Sequence, residues 1–189
     1  PGSRTHVVKA GFPGQLAVAR RVAERFPNAF FPISIANDAV RRIIEPSTAE
    51  SGLNCACFHG KNGDLIESAD LVLVVSGTST LEVAYYHRPM VVMYNSSRLV
   101  YHFVARWLIR TPHLSLVNIL AGRELVPEFM PYYTRTDPIA RCVLDLLDSP
   151  DRCAAMSQEL ADLVSPIAAP GAPANTAAIL LDMLDTSRP

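Results

Sequence analysis

Leu71-Val72-Leu73-Val74-Val75-Ser76-Gly77-Thr78-Ser79-Thr80-Leu81-Glu82 decides the fold. Five consecutive aliphatic residues with no polar alternation suit a parallel strand buried on both faces. The small hydroxylated turn that follows runs straight into residues of helical character up to about Tyr86. A strand, a glycine turn and a helix in that order form the first half of a parallel crossover unit.

The same alternation extends to either side. Upstream, Gln15 to Arg25 carries Leu16, Val18, Ala19, Val22 and Ala23 at helical spacing, and Pro27 stops it. Ala29 to Ile35 reads as a strand, Asp38 to Glu45 as a helix with Asp38 at its N-cap, and Leu53 to Phe58 as the next strand. Gly60 to Asp64 reads as a loop and Leu65 to Ala69 as a short helix. Downstream, Met90 to Tyr94 is a second buried strand after Pro89. Ser97 to Ile109 is expected to be an amphipathic helix with Arg98, His102, Arg106 and Arg110 along one side. That stripe reads either as a solvated face or as a contact with an anionic surface. Leu114 to Val117 reads as a short strand, Asn118 to Gly122 as a loop, and a polar helix is expected near Glu124. Pro138 and Pro150 occupy first-turn positions of two further helices, ending near Leu147 and Val164. A hinge over Ala168 to Ala174 and a terminal helix over Thr176 to Leu184 complete the pattern. The expected class is therefore α/β: a three-layer Rossmann-like domain around a parallel sheet.

The bulk properties fit a folded domain. The chain has 189 residues, 49% hydrophobic and 19% charged, with a formal net charge of -1, so its total charge suggests no nucleic acid partner. No apolar run approaches the roughly 20 residues of a membrane span, and the opening does not read as a signal peptide. Cys55 and Cys57 share a strand face and, with Cys142 and Cys153, read as free thiols in a reducing compartment. The histidines form no HxxH or HExxH pattern, so neither a metal nor a cofactor is expected.

Three loops fall at the carboxyl ends of strands, where parallel sheets bind ligands. Ser76, Gly77, Thr78 and Ser79 open a helix whose free N–H groups suit a diphosphate. Alternatively, Ser79 and Glu82 have the spacing of a plain capping box. Ser3 and Arg4 follow Gly2 in a loop that places a guanidinium where it can neutralise a phosphate; most such arginines are ordinary surface residues. Asn118 can turn the chain or read a base or ribose edge, Gly122 permits a left-handed turn, and Arg123 can pair with Glu124.

Pro1-Gly2-Ser3-Arg4, Ser76 to Glu82, Arg88-Pro89-Met90-Val91-Val92-Met93-Tyr94 and Ser115 to Glu128 occur in the order and spacing of one family. The chain resembles the C-terminal, UDP-binding domain of lipid-A-disaccharide synthase, a glycosyltransferase of the two-Rossmann-domain (GT-B) type, from Pro1 to about Leu184. Asn118 to Glu124 is the most specific block. Val117 and Asn95 depart from the family, which usually has proline and a basic residue there.

The resemblance implies an inverting transfer of diacylglucosamine from UDP-2,3-diacylglucosamine to a diacylglucosamine 1-phosphate acceptor, without a catalytic metal. It places Ser3 and Arg4 at the diphosphate, with Arg4 the catalytic stabiliser of the leaving group. Ser76, Gly77, Thr78 and Ser79 would lie at the phosphate end, Glu82 at the ribose, and Asn118 with Gly122 beside the nucleotide. The general base and acceptor site belong to an N-terminal domain that precedes residues 1–167, as does a first strand leading into Gly2. Residues 168–189 would pack toward that domain, and this half alone is expected to be inactive. The implied partners are the UDP-linked acylated glucosamine donor and that N-terminal domain. A homodimer and peripheral contact with the inner membrane surface from the cytoplasmic side are compatible with it. Two rival readings use the same turn: a nucleotide-sugar epimerase, for which no acid/base carboxylate pair is evident, and a non-catalytic UDP-sugar-binding module.

Overall fold

A computed structural model describes residues 1–96, 112–168 and 170–186. The expected basic helix from Ser97 to Ile109 lies outside the described residues.

Two short parallel sheets form the framework. The first pairs β1 (Phe31–Ile35) with β2 (Cys55–His59), and the second has the order β3 (Val72–Val75), β4 (Met90–Met93), β5 (Glu128–Phe129). β4 is buried at all four positions, as a strand covered on both faces must be. Helices provide the crossovers that parallel neighbours require: α2 (Asp38–Ala49) joins β1 to β2, and α4 (Ser79–Tyr85) joins β3 to β4. The structure is thus α/β with parallel strands, the class expected for a Rossmann-like domain.

The helix before β1 is twice as long as the sequence suggests. α1 covers Thr5–Arg25, running through Gly11, Pro13 and Gly14. These residues are poor helix formers in isolation. Val8, Gly11 and Phe12 are nevertheless buried, and packing of that face outweighs local propensity. Pro13 leaves only the Lys9 carbonyl without a helical donor, and Lys9 is exposed, so water can satisfy it. α1 also receives the Tyr133 ring: a Cβ at Gly14 would fall on the Tyr133 hydroxyl and within 2.9 Å of its Cζ. Pro46 is likewise absorbed, within α2.

Two cores result. The larger is built from β3, β4, Val117, Val126 and the apolar faces of α6 (Asp137–Leu147) and α7 (Pro150–Val164). The smaller joins β1 and α2 to the first half of α1: Val8, Phe12, Leu16, Ile33, Ile35, Val40 and Ile44. Val18 and Val22 on the second half of α1 belong to the larger core, so α1 bridges both.

Several local expectations change. α3 spans Asn62–Glu67, starting inside the expected loop. Residues expected as a strand followed by a loop instead form α5 (Leu116–Ala121), with the Ser115 hydroxyl accepting the Asn118 N–H at its start. A short apolar run does not by itself distinguish helix from strand. No helix forms at Glu124; the chain turns there into β5. α8 (Ala172–Thr186) takes in the last part of the expected hinge. All four cysteines are free and half-buried. No helix among the described residues is long and apolar enough to cross a membrane.

Candidate functional site

The turn after β3 is braced from inside. Thr80 is fully buried, and its hydroxyl donates to the Gly77 carbonyl at 2.8 Å. The Thr80 N–H bonds the same carbonyl, while the Leu81 and Glu82 N–H groups bond Thr78. Gly77 has φ 154, and a Cβ there would meet nothing within 4 Å, so the space over the turn is open. Thr78 is the N-cap of α4 and makes no side-chain cap bond, while Ser79 is already the first helical residue. The capping-box alternative is therefore not realised: Ser79 sits one position too late to act as the cap. Ser76 and Glu82 are half-buried, and Thr78 and Ser79 are exposed.

Gly2-Ser3-Arg4 lies beside this turn. A Cβ at Gly2, whose φ is 112, would sit 3.8 Å from the Val75 Cγ1 at the end of β3. On its other side, the Ser3 carbonyl accepts a hydrogen bond from Asn37 Nδ2 at 3.1 Å. Asn37, not Asp38, is the N-cap of α2, and its Oδ1 accepts the Val40 N–H. One side chain thus caps a helix and ties the opening loop to the end of β1. An Asn one residue before an expected helix start is the signal that identifies such a cap. Arg4 is the N-cap of α1, with an exposed side chain. The structure therefore sets Gly2, just before Ser3 and Arg4, against Val75, the last residue of β3 before the Ser76 to Ser79 turn.

Asn118 is placed differently. It is completely buried, and both ends of its amide are engaged within the protein. Oδ1 accepts the Leu125 N–H at 2.8 Å and the Val126 N–H at 2.9 Å; Nδ2 donates to the Val126 carbonyl at 2.8 Å and to Glu128 Oε2 at 2.9 Å. Glu128 also accepts the N–H groups of Leu114 and Ser115, each at 2.9 Å. Burial pushes the Glu128 carboxyl up, but the hydrogen bonds from Ser115, Leu114 and Asn118 outweigh it and hold the pKa below the ordinary value. The Asn118 side chain therefore braces the 114–128 segment. Gly122 takes the left-handed conformation, φ 65, at the end of α5. Arg123 pairs with Glu159 of α7 at 2.7 Å, a partner 36 positions away that the local sequence does not reveal, in place of the expected Glu124. From the sequence, Asn37 carries no site signal, and Thr80 and Glu128 have none beyond lying in the stretches Ser76 to Glu82 and Ser115 to Glu128.

A hollow of about 520 Å³ lies elsewhere, lined by Tyr85, His87, Ala161 and Ser165 among others. Among the described residues, no group of three His, Cys, Asp or Glu stands close enough to hold a metal.

Comparison with known proteins identifies the family. The lipid-A-disaccharide synthetase family profile matches residues 1–168. A lipid-A-disaccharide synthase of Neisseria meningitidis is 36% identical over 162 residues, covering 84% of this chain and 42% of that protein. The synthase of Anaeromyxobacter sp. is 37% identical over 187 residues, and that of Geobacter sulfurreducens 34% over 184, each covering 97% of this chain and 48% of the relative. The chain thus spans about half the length of the curated relatives it matches. On a family match that runs from the opening loop through α7, the chain belongs to the lipid-A-disaccharide synthase family.

Proposed function

We propose that this chain is the donor-binding half of a lipid-A-disaccharide synthase, holding the UDP part of UDP-2,3-diacylglucosamine on the shelf formed by Gly2-Ser3-Arg4 and Ser76 to Ser79. The observation that carries this is the juxtaposition of those two loops, one opening a 21-residue helix and bearing a free-standing arginine. The Thr80, Leu81 and Glu82 N–H groups are already engaged, so the N–H groups of Gly77, Thr78 and Ser79 are the donors left to a diphosphate. Arg4 adds a charge-assisted fork. Glu82, one turn into α4 and released from capping, is the acceptor for ribose hydroxyls. Asn118 and Gly122 serve the nucleotide indirectly, by fixing the frame of the 114–128 segment.

In the reaction, the acceptor hydroxyl displaces UDP at the anomeric carbon with inversion. Its proton passes to a base supplied by the other half of the protein. This half stabilises the negative charge that grows on the diphosphate as the bond breaks, an electrostatic contribution that requires no metal. Donor and acceptor are both acylated, so the full-length enzyme works against the cytoplasmic face of the inner membrane by peripheral contact.

Calorimetric titration of the full-length protein with UDP, without added metal, tests the reading. Saturable binding is expected, weakened about 10- to 100-fold by Arg4→Ala, the equivalent of losing one charged hydrogen-bonding group. A full-length protein that does not bind UDP would refute it.

A further inference from the structure

The middle turn of α1, Ala10 to Gln15, is fastened by side chains to the sheet that carries the Ser76 to Ser79 turn. Asn95, just beyond β4, donates from Nδ2 to the Ala10 carbonyl at 3.3 Å. Tyr133, beyond β5, donates its hydroxyl to the Gly11 carbonyl at 3.3 Å. Gln15 in turn donates from Nε2 to the Leu73 carbonyl of β3 at 3.4 Å. A helical carbonyl has a second lone pair, so Ala10 and Gly11 can accept these bonds without breaking the helix. The sequence permits the approach: Gly14 has no Cβ where the Tyr133 hydroxyl lies, and Gly11 is buried one turn before it. Burial pushes the Tyr133 phenol up, so it keeps its proton and stays a donor at neutral pH.

The place of these ties along α1 matters. Pro13 deprives the Lys9 carbonyl of its helical donor, and a proline is where a helix most readily hinges. The front segment, ahead of that break, belongs to the smaller core: Val8 and Phe12 are buried there, and Asn37 bonds the Ser3 carbonyl. The rear segment carries Val18 and Val22 in the larger core. The Asn95 and Tyr133 bonds reach across this division. They take hold of Ala10 and Gly11, on the front side of Pro13, from chain that leaves β4 and β5. Between Arg4 and Ala10 the helix has neither proline nor glycine and spans about 9 Å, at a rise of about 1.5 Å per residue. Fixing Ala10 and Gly11 therefore fixes the point at which the Arg4 side chain leaves the backbone.

We infer that Asn95 and Tyr133 are positioning residues for the donor: they hold the front segment of α1, and with it Arg4, in register with the Ser76 to Ser79 turn across the break at Pro13. They touch no part of the donor and act through Arg4. The inference rests on the donor-binding reading above. It adds two residues from outside the loops of that reading, and it names the helix backbone as the part through which they act.

Calorimetric titration of the full-length protein with UDP tests it, on the parent, Asn95→Ala, Tyr133→Phe, Arg4→Ala and the two double variants that combine Arg4→Ala with each of the others. Tyr133→Phe keeps the ring against Gly14 and removes only the hydroxyl. Asn95→Ala and Tyr133→Phe are each expected to weaken UDP binding about 3- to 10-fold, the equivalent of one neutral hydrogen bond. With Arg4 already replaced, the same substitutions should change the affinity by less than about twofold, because no guanidinium is left to misplace. A merely structural role would add its full effect to that of Arg4→Ala, and that result overturns the proposal, as does unchanged UDP affinity in either single variant. Amide exchange supplies a readout without ligand. The Val8 amide, bonded to the Arg4 carbonyl, should exchange about tenfold faster in either single variant, while the Phe26 amide, bonded to Val22 behind the break, keeps its rate; equal change at both amides, or none at Val8, overturns the proposal. A parent protein that fails to bind UDP refutes the donor-binding reading and this inference with it, whereas a parent that binds UDP beside additive or silent variants refutes this inference alone.

Discussion

Asn118→Ala removes more bonding from the interior than any other single truncation near the candidate site. The substitution leaves the Leu125 and Val126 N–H groups and the Val126 carbonyl without their partner, and takes one donor from Glu128. Each buried group left unsatisfied costs about 1–3 kcal/mol. Three would sum to roughly 3–9 kcal/mol, and the segment's half-exposed flank at Glu128 lets water recover part of it. A loss of about 3–4 kcal/mol follows, a large share of a typical stability of about 5–15 kcal/mol. At a urea m-value of about 2 kcal/mol/M, the unfolding midpoint should fall by about 1.5–2 M with m unchanged. Asn118→Asp adds a second readout. It keeps one acceptor but sets a carboxylate against Glu128 and the Val126 carbonyl, so it should be unstable at pH 7 and regain stability as either carboxylate protonates. A midpoint shift in Asn118→Ala worth less than about 1 kcal/mol would show that the loop takes its bonds from water. Equal pH dependence in Asn118→Asp and the parent would show that the two side chains do not meet.

Other consequences are open to measurement. Because the Glu128 pKa is held below its unfolded value of 4.5, its contribution is fully present above that value and is lost as pH falls through the folded pKa; Glu128→Gln should therefore flatten the acid limb of the stability curve. Gly14→Ala should lower stability by about 1–3 kcal/mol despite the better helix propensity of alanine, because the new Cβ meets the Tyr133 ring; pairing it with Tyr133→Ala in a double-mutant cycle should remove that excess cost. Glu82→Ala should weaken UDP binding about 10-fold and leave inorganic pyrophosphate binding unchanged, since its place is at the ribose; equal losses for both ligands would move Glu82 to the phosphates.

The sequence is most legible where local chemistry has one physical outcome. Leu71 to Val75 has no polar alternation and its last four residues become a parallel strand, buried at Val74 and Val75 and half-buried at Val72 and Leu73, and Pro138 and Pro150 sit at helix starts because their missing N–H costs nothing there. Legibility fails where a distant partner decides. Gly11, Pro13 and Gly14 argue against a helix until the core that buries Phe12 is known. The role of Asn118 turns on Val126 and Glu128, up to ten residues along the chain. An asparagine that reads a ligand and one that knots a loop look the same until those partners appear. The block that carries the resemblance most specifically, Asn118 to Glu124, is thus in part a folding device.

This distribution has a mechanical consequence. The opening loop is tied through Asn37 to the smaller core, while the Ser76 to Ser79 turn rises from the larger one through Thr80. On the proposed function, a diphosphate held by both loops crosses the line between the two cores. Among the described residues, α1 is the element buried in both. Any rotation of one core against the other changes the distance from Arg4 to the turn, and a displacement of about 1 Å is enough to weaken catalysis severely. Substitutions on the two buried sides of α1, such as Leu16→Ala in the smaller core or Val18→Ala in the larger, touch neither loop. They should nevertheless impair donor binding beyond what their effect on stability explains, because the two loops proposed to hold the diphosphate are registered to each other through that helix.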